Sequence, residues 1–209
     1  MTLSVPERPA ETIDRLLSAL LPVSTAFDVV PRKRLHWNYR GKPQFYLFLE
    51  DEISVLRALD GLVIATAYDP HLFGIAESMQ PLHCHNLRID TQARLMRIDA
   101  DLAKEKFTEL NLWQDVSLTL SYFTSYLFYR DALVVQQRTY SVIRNHLMEM
   151  IHLPLETRLR VSILEYIQER TYLSRSSVLN MIFALKEANY LATKRGGYLL
   201  DLAELPESF

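Results

Sequence analysis

The chain has 209 residues, 49% of them hydrophobic, a formal charge of −2 and a single cysteine. That is apolar content enough for one large domain or two small ones. It excludes a disordered chain, a disulfide framework and a paired-cysteine zinc site, and it favours a reducing cytoplasm. A near-neutral balance argues against a generic nucleic-acid coat and for binding confined to a local surface.

The opening MTLSVPERPAETIDRLL carries proline and acids where an export signal needs a basic start and an apolar core, so no export signal is expected. No run approaches about eighteen apolar residues, so no membrane helix is expected either. Helical spacing of Ile13, Leu16, Leu17, Leu20 and Leu21 predicts a short helix over 10–21, ending at Pro22. From about Phe27 to Arg97 the texture changes to brief β-rich runs: FDVVP, QFYLFLE, ISVLRAL, LVIATAY, NLRID and ARLMRID. Turn signals such as Asp60-Gly61 and Tyr68-Asp69-Pro70 separate several of them. Strands of this length and spacing predict a sandwich or rolled barrel.

Residues 101–110 are again helical in pattern. The run 113–137 has neither Gly nor Pro and carries Val116, Leu118, Leu120, Phe123, Tyr126, Leu127, Leu133, Val134 and Val135. Such a helix is either the core of one chain, or is covered partly by the β domain and partly by the same helix of a second subunit in a two-fold dimer. The dimer is the expectation. Two further helical segments, 139–152 and 154–170, are parted at Leu153-Pro154. Proline suits a first helical turn, and Glu156 the positive end of the helix dipole.

The most informative stretch is LSRSSVLNMIFALKEANYL with the ATKRGGYLL that follows. Ser174 is a good N-cap, although Ser177 leaves the capping box incomplete. Val178, Met181, Ile182 and Leu185 fall on one stripe, which turns Arg175, Ser176, Leu179, Asn180 and Phe183 outward. Beyond Leu191 the chain alternates and turns through Lys194, Arg195, Gly196 and Gly197, as a tight hairpin does. An amphipathic helix packed on a hairpin is one reading, and a DNA-recognition helix with its wing is the other.

Arginine and asparagine pair bidentately with guanine and adenine edges, which favours the second. Between 170 and 200 five cations, Arg170, Arg175, Lys186, Lys194 and Arg195, stand against Glu187 alone, while the whole chain is acidic by two. Lys186, Lys194, Arg195 and the amides near Ser174 are then expected on phosphates, Arg175, Ser176 and Asn180 on bases, and Ser177 is a further DNA-binding candidate. Leu179 and Phe183 stay open: they meet thymine methyls, pack under the wing, or mark another register.

The order helix, β-roll, long helix, two helices, recognition helix and wing resembles the cyclic-AMP receptor protein and fumarate-nitrate regulator superfamily. In sequence the resemblance lies in SRSSVLNMIFALKEANYL, with its Ser-Arg pair, an apolar residue three positions after the Arg, and Leu near the helix end. YIQERTYLSRSSV and KEANYLATKRGGYLLDL are similar, more narrowly, to an enterobacterial winged-helix branch concerned with hydrogen peroxide. The resemblance implies an α+β chain. It comprises a cyclic-nucleotide-binding-like β-roll over 1–112, a dimerisation helix over 113–137 and a winged helix-turn-helix over 138–209. It further implies a cytoplasmic homodimer that regulates transcription on double-stranded DNA, with RNA polymerase as a further partner, no cofactor, no membrane contact and a link to oxidative stress.

The departures matter as much. Nucleotide-binding members hold the ribose and cyclic phosphate with a Gly-Glu step and a following Arg-Ser or Arg-Thr pair. Here LFGIAESMQPLHCHNLRI has Ile75 after Gly74, and His83-Cys84-His85 stands where the arginine is expected. A phosphate there lacks its charged partner, so cyclic AMP is not expected to bind. One cysteine cannot hold an iron–sulfur cluster.

On a strand, His83 and His85 would share a face and could approach a metal, with Cys84 pointing away. Spacing identifies no third ligand among His36, His71, His146 and His152. The histidines are therefore ordinary packed or surface groups, or two arms of a β-roll metal-dependent oxygenase or other small-molecule-binding site. Cys84 is a candidate redox sensor, since thiol reactivity follows thiolate character and exposure. With no phosphate loop, nucleophile elbow or metalloprotease helix, no enzyme is expected. Arg32, Lys33, Arg34, Arg40 and Lys42 read as a solvated rim.

Overall fold

The computed structural model describes residues 4–80, 83–134 and 138–209. The chain divides into two compact units, Met1–Tyr129 and Arg130–Phe209, with the division inside the long helix. In the first unit, α1 (Ala10–Leu20) buries Ile13, Leu16, Leu17 and Leu20, then tightens into a 3-10 turn over Leu21–Val23 that accommodates Pro22.

Among the described residues nine antiparallel strands follow: β1 (Thr25–Ala26), β2 (Arg34–Leu35), β3 (Asn38–Tyr39), β4 (Lys42–Glu50), β5 (Ile53–Arg57), β6 (Val63–Ala67), β7 (His71–Phe73), β8 (His85–Ile89) and β9 (Arg94–Asp99). They form two sheets. One has the order β1-β9-β4-β3 with β7 also paired to β4, and the other β2-β8-β5-β6.

β4 is the hinge of this packing. Phe45 and Leu47 join a core with α1, Leu72, Ile98 and Phe107. The alternate residues Tyr46 and Phe48 face a second core with Trp37, Ile53, Phe73, Leu87 and Leu95. Period-two alternation with both faces covered is why the run FYLFL is apolar throughout. The expected strand at FDVVP is not formed. Phe27 and Val29 do turn inward against the second core, but Pro31 offers no amide and Arg32 adopts φ 67°, so the alternation reports burial without a ladder.

Gly74, at φ 105°, opens the short helix α2 (Ile75–Met79). A Cβ there would lie 2.6 Å from the Gln44 carbonyl, so only glycine fits. α3 (Ala100–Glu109) is capped by Asp99, whose carboxylate accepts the Asp101 amide at 3.0 Å. α4 (Trp113–Val134) is the long helix, and the part of its expected span at Val135 to Gln137 lies outside the described residues. Its Asp115 is buried and accepts a hydrogen bond from Arg15 Nε at 3.1 Å.

The second unit holds α5 (Thr139–Ile151), α6 (Leu155–Arg158), α7 (Ile163–Gln168), α8 (Arg175–Glu187), β10 (Leu191–Lys194) and β11 (Tyr198–Leu202) around one core. The single helix expected over 154–170 is two. Pro154 is the N-cap of α6 rather than its first turn, and Ser162 starts α7 with a complete capping box. Its hydroxyl accepts the Glu165 amide at 3.2 Å, and the Glu165 carboxylate accepts the Ser162 amide at 3.1 Å. Among the described residues, no helix is long and apolar enough to cross a membrane.

Candidate nucleic-acid interface

α8 begins where Ser174 stops the preceding turn. Its hydroxyl accepts the Ser177 amide at 3.1 Å and lies 3.0 and 2.8 Å from the hydroxyls of Ser176 and Ser177. No carboxylate answers it, so one arm of the box is missing. Val178, Ile182 and Leu185 are buried and Met181 half-buried, against Ile163, Tyr166 and Ile167 of α7 and Leu147 of α5. Arg175, Ser176, Leu179, Asn180, Phe183 and Lys186 are exposed, and Ser177 is half-buried behind the cap.

β10 and β11 pair antiparallel with a bulge after Ala192, and the turn between them closes with the Gly197 amide on the Lys194 carbonyl at 3.0 Å. Lys194 and Arg195 are exposed at its tip. Gly196 and Gly197 have φ 98° and 81°, which side chains rarely adopt. The carbonyl of Gly197 accepts the Ile163 amide at 2.9 Å.

One cation expected in this patch is elsewhere. Arg170 is buried, donates to the Tyr166 carbonyl at 3.2 Å and lies 3.7 Å above the Tyr166 ring. It braces the interior of the unit, because a guanidinium over an aromatic face beside carbonyl acceptors is satisfied without solvent. Arg175, Lys186, Lys194 and Arg195 remain at the surface, with Glu187 exposed beside them.

Elsewhere in the second unit lies a group that sequence spacing did not suggest. Arg130 is buried, with Nη1 3.3 Å from Glu149 Oε2 and 3.5 Å from His146 Nε2. His146 is fully buried, and its Nδ1 lies 2.8 Å from the Val142 carbonyl. Burial, and then the charge of Arg130, push its pKa down to about 4, so the ring is neutral. The i,i+3 spacing of His146 and Glu149 on an apolar helix face was the available signal.

In the first unit a cavity of about 210 Å³ is walled by Ile64, Phe73, Tyr122, Phe123, Tyr126 and Leu127. Arg8, Asp69, His71 and His85 are among the polar groups at its edge. His71 is buried and its pKa falls to about 4, through burial and then the charge of Arg8. The stretch from Gly74 to Asn86 indeed lacks arginine, yet Arg8 reaches the cavity from ahead of α1, where its guanidinium donates to the Pro70 carbonyl.

His83, Cys84 and His85 do not share a strand. β8 begins at His85, whose Nε2 lies 2.7 Å from Glu77 Oε1, and whose ring meets Trp37 edge-on at 5.5 Å. Cys84 is exposed ahead of the strand. The paired-histidine metal geometry is therefore not formed, and among the described residues no three His, Cys, Asp or Glu side chains converge as metal ligands. Arg32, Lys33, Arg34, Arg40 and Lys42 are all exposed, with Lys42 3.2 Å from Asp99.

Residues 139–207 match the family model described as winged helix-turn-helix DNA binding. The second unit is a winged helix-turn-helix. Over 204 residues the chain is 25% identical to the inhibitor of hydrogen peroxide resistance of Salmonella typhimurium, covering 97% of this chain and 98% of that one. Among solved structures it is similar to the c-di-GMP responsive global regulator CLP of Xanthomonas campestris, with TM-score 0.73 and 15% identity over 92% of this chain and 100% of that one. A Crp/Fnr-family transcriptional regulator from Eubacterium rectale gives TM-score 0.65 and 12% identity over 90% of each chain. The fold is that of the Crp/Fnr regulators. On this Crp/Fnr fold the β-roll carries the aromatic cavity, and the winged unit carries Arg175, Lys186, Lys194 and Arg195 at its surface.

Proposed function

We propose that the chain is a sequence-specific transcriptional regulator that binds double-stranded DNA through α8 and the wing. The observation that carries this reading is the exposed face of α8. It offers Arg175, Ser176 and Asn180 for base edges, beside Lys186, Lys194 and Arg195 for phosphates. Selection of bound sequences from random duplexes by the purified chain tests it. A shared motif is the expected result, and no enrichment at any salt concentration would overturn the reading.

The regulator works as a cytoplasmic homodimer, with RNA polymerase as its other macromolecular partner. Supporting the dimer, Leu118, Ser121, Ser125 and Phe128 recur at seam spacing along α4 and are all exposed, Phe128 by 72%. Small residues between two large apolar ones let a second helix approach closely. Sedimentation at micromolar concentration is expected to give twice the chain mass, and a monomer that binds one half-site tightly would sink this part.

The regulator does not use cyclic AMP. Ile75 follows Gly74, the cavity is lined largely by aromatic and aliphatic side chains, and Arg8 shares its edge with the carboxylate of Asp69, which would repel a cyclic phosphate. Calorimetry with cyclic AMP is expected to show no binding, and micromolar affinity would reverse the conclusion. A link to oxidative stress rests on the name of the Salmonella relative and on the exposure of Cys84.

A further inference from the structure

Leu179 and Phe183 leave α8 on the same ridge as Arg175, each four residues from the next. They are 41% and 66% exposed, while Val178, Ile182 and Leu185 complete the buried stripe. The helix register is therefore settled by what is buried, and neither side chain is tucked under the wing. Two large apolar groups sit on a face otherwise made of Arg175, Ser176, Asn180 and Lys186. Such a face meets a polyanion, and its apolar part needs an apolar partner within that polyanion. The major groove offers one such group at base edges, the thymine 5-methyl.

We propose, resting on the DNA-binding reading above, that Leu179 and Phe183 read thymine methyls next to the base contacted by Arg175. Four helical residues advance roughly 6 Å, or about two base steps. A half-site therefore carries thymines about two and four steps from the guanine of Arg175, with Asn180 free to take an adenine between them. Specificity is then divided: hydrogen bonds select purines at one end of the ridge, and hydrocarbon contact selects thymine toward the other.

Deoxyuracil differs from thymidine only by the missing methyl, which makes it the probe. Operators selected by the full-length chain are resynthesised with uracil at one thymine at a time, and affinity is measured by titration. The expected result is a loss of about fourfold at one or two thymines per half-site, the worth of one buried methyl-sized group. Leu179→Ser and Phe183→Ser should each erase one of those penalties while leaving the salt slope unchanged. Both side chains are exposed, so neither variant endangers the fold.

Affinity indifferent to uracil at every position would overturn the inference and leave the DNA-binding reading standing. So would operator affinity unchanged in both serine variants, which would assign the face to a protein partner. Failure to select any operator would instead bring down the DNA-binding reading itself.

Discussion

The backbone amide of Ile163 donates to the carbonyl of Gly197 at 2.9 Å, so the turn of the wing occupies one of the orphan amides at the start of α7. The wing is thus tied to the helix beneath α8 as well as to its own strands. Gly197→Ala would meet only Ser162 Cβ, at 3.9 Å, but at φ 81° it should cost about 1–2 kcal/mol. Gly196→Ala adds a contact of 2.6 Å with the Tyr198 ring and should cost more. Thermal denaturation of the two variants is expected to place Gly196→Ala below Gly197→Ala, and both below the parent.

Ser162 and Ser174 cap neighbouring helices with different surroundings. Replacing either by alanine should remove about 1 kcal/mol of stability. Ser174→Ala should in addition weaken DNA binding, because the helix start that it caps is the one proposed to contact phosphate. Denaturant titration and duplex titration of the same two proteins separate the effects, and equal DNA affinity in both would dissociate the Ser174 cap from binding.

Arg175 and Lys194 should fail differently. Arg175→Ala is expected to lose about 1–3 kcal/mol of discrimination per half-site while salt-sensitive binding persists. Lys194→Ala should weaken all duplexes alike and flatten the salt slope by about one. Titrations at several salt concentrations check both, and unchanged discrimination by Arg175→Ala would remove it from base readout.

The winged unit was legible because its signals are local. A serine cap, an i,i+3,i+4 apolar stripe and a Gly-Gly turn each act over a few residues, and α8 and the hairpin follow them. Most β-roll strands were legible by alternation, whereas β2, β3 and β7 are two or three residues long and carry too few positions for a period to show. The break at Ser162 was missed because 154–170 keeps helical apolar spacing across it, although Ser162 and Glu165 spell the capping box. Arg170 was misread because sequence gives its charge and not the Tyr166 ring beneath it. Arg8 at the cavity and the Arg130–His146–Glu149 group join residues distant in the chain, which no periodicity encodes.

His71 and His146 both stay neutral down to about pH 4 in the native chain, whereas an unfolded histidine titrates near 6.5. Between those values the unfolded state binds the extra protons. The contribution is therefore fully present above about pH 6.5 and is lost as pH falls through the window, by up to roughly 3 kcal/mol per histidine. Denaturant midpoints from pH 7 to 4 should fall accordingly, and His146→Gln, which keeps a donor but cannot titrate, should flatten the decline. An unchanged slope in that variant would mean that His146 already takes a proton while native.

Cys84 is exposed, and its own backbone carbonyl holds the Ala58 amide at 2.9 Å. If oxidation of this thiol regulates the protein, peroxide should change operator affinity in the parent and leave Cys84→Ser unaffected. Equal responses in the two proteins would remove the thiol from the mechanism.

α6 and α7 are four and six residues long, far short of the roughly 12–15 that an isolated helix needs to persist in water. Neither can outlast the loss of its neighbours, and α7 has one of its first amides on the wing. α6 and α7 therefore form or melt together with the elements packed on them, the wing among them. A lesion at the hairpin should be felt at the recognition helix as lost folded population, before any contact with DNA is made.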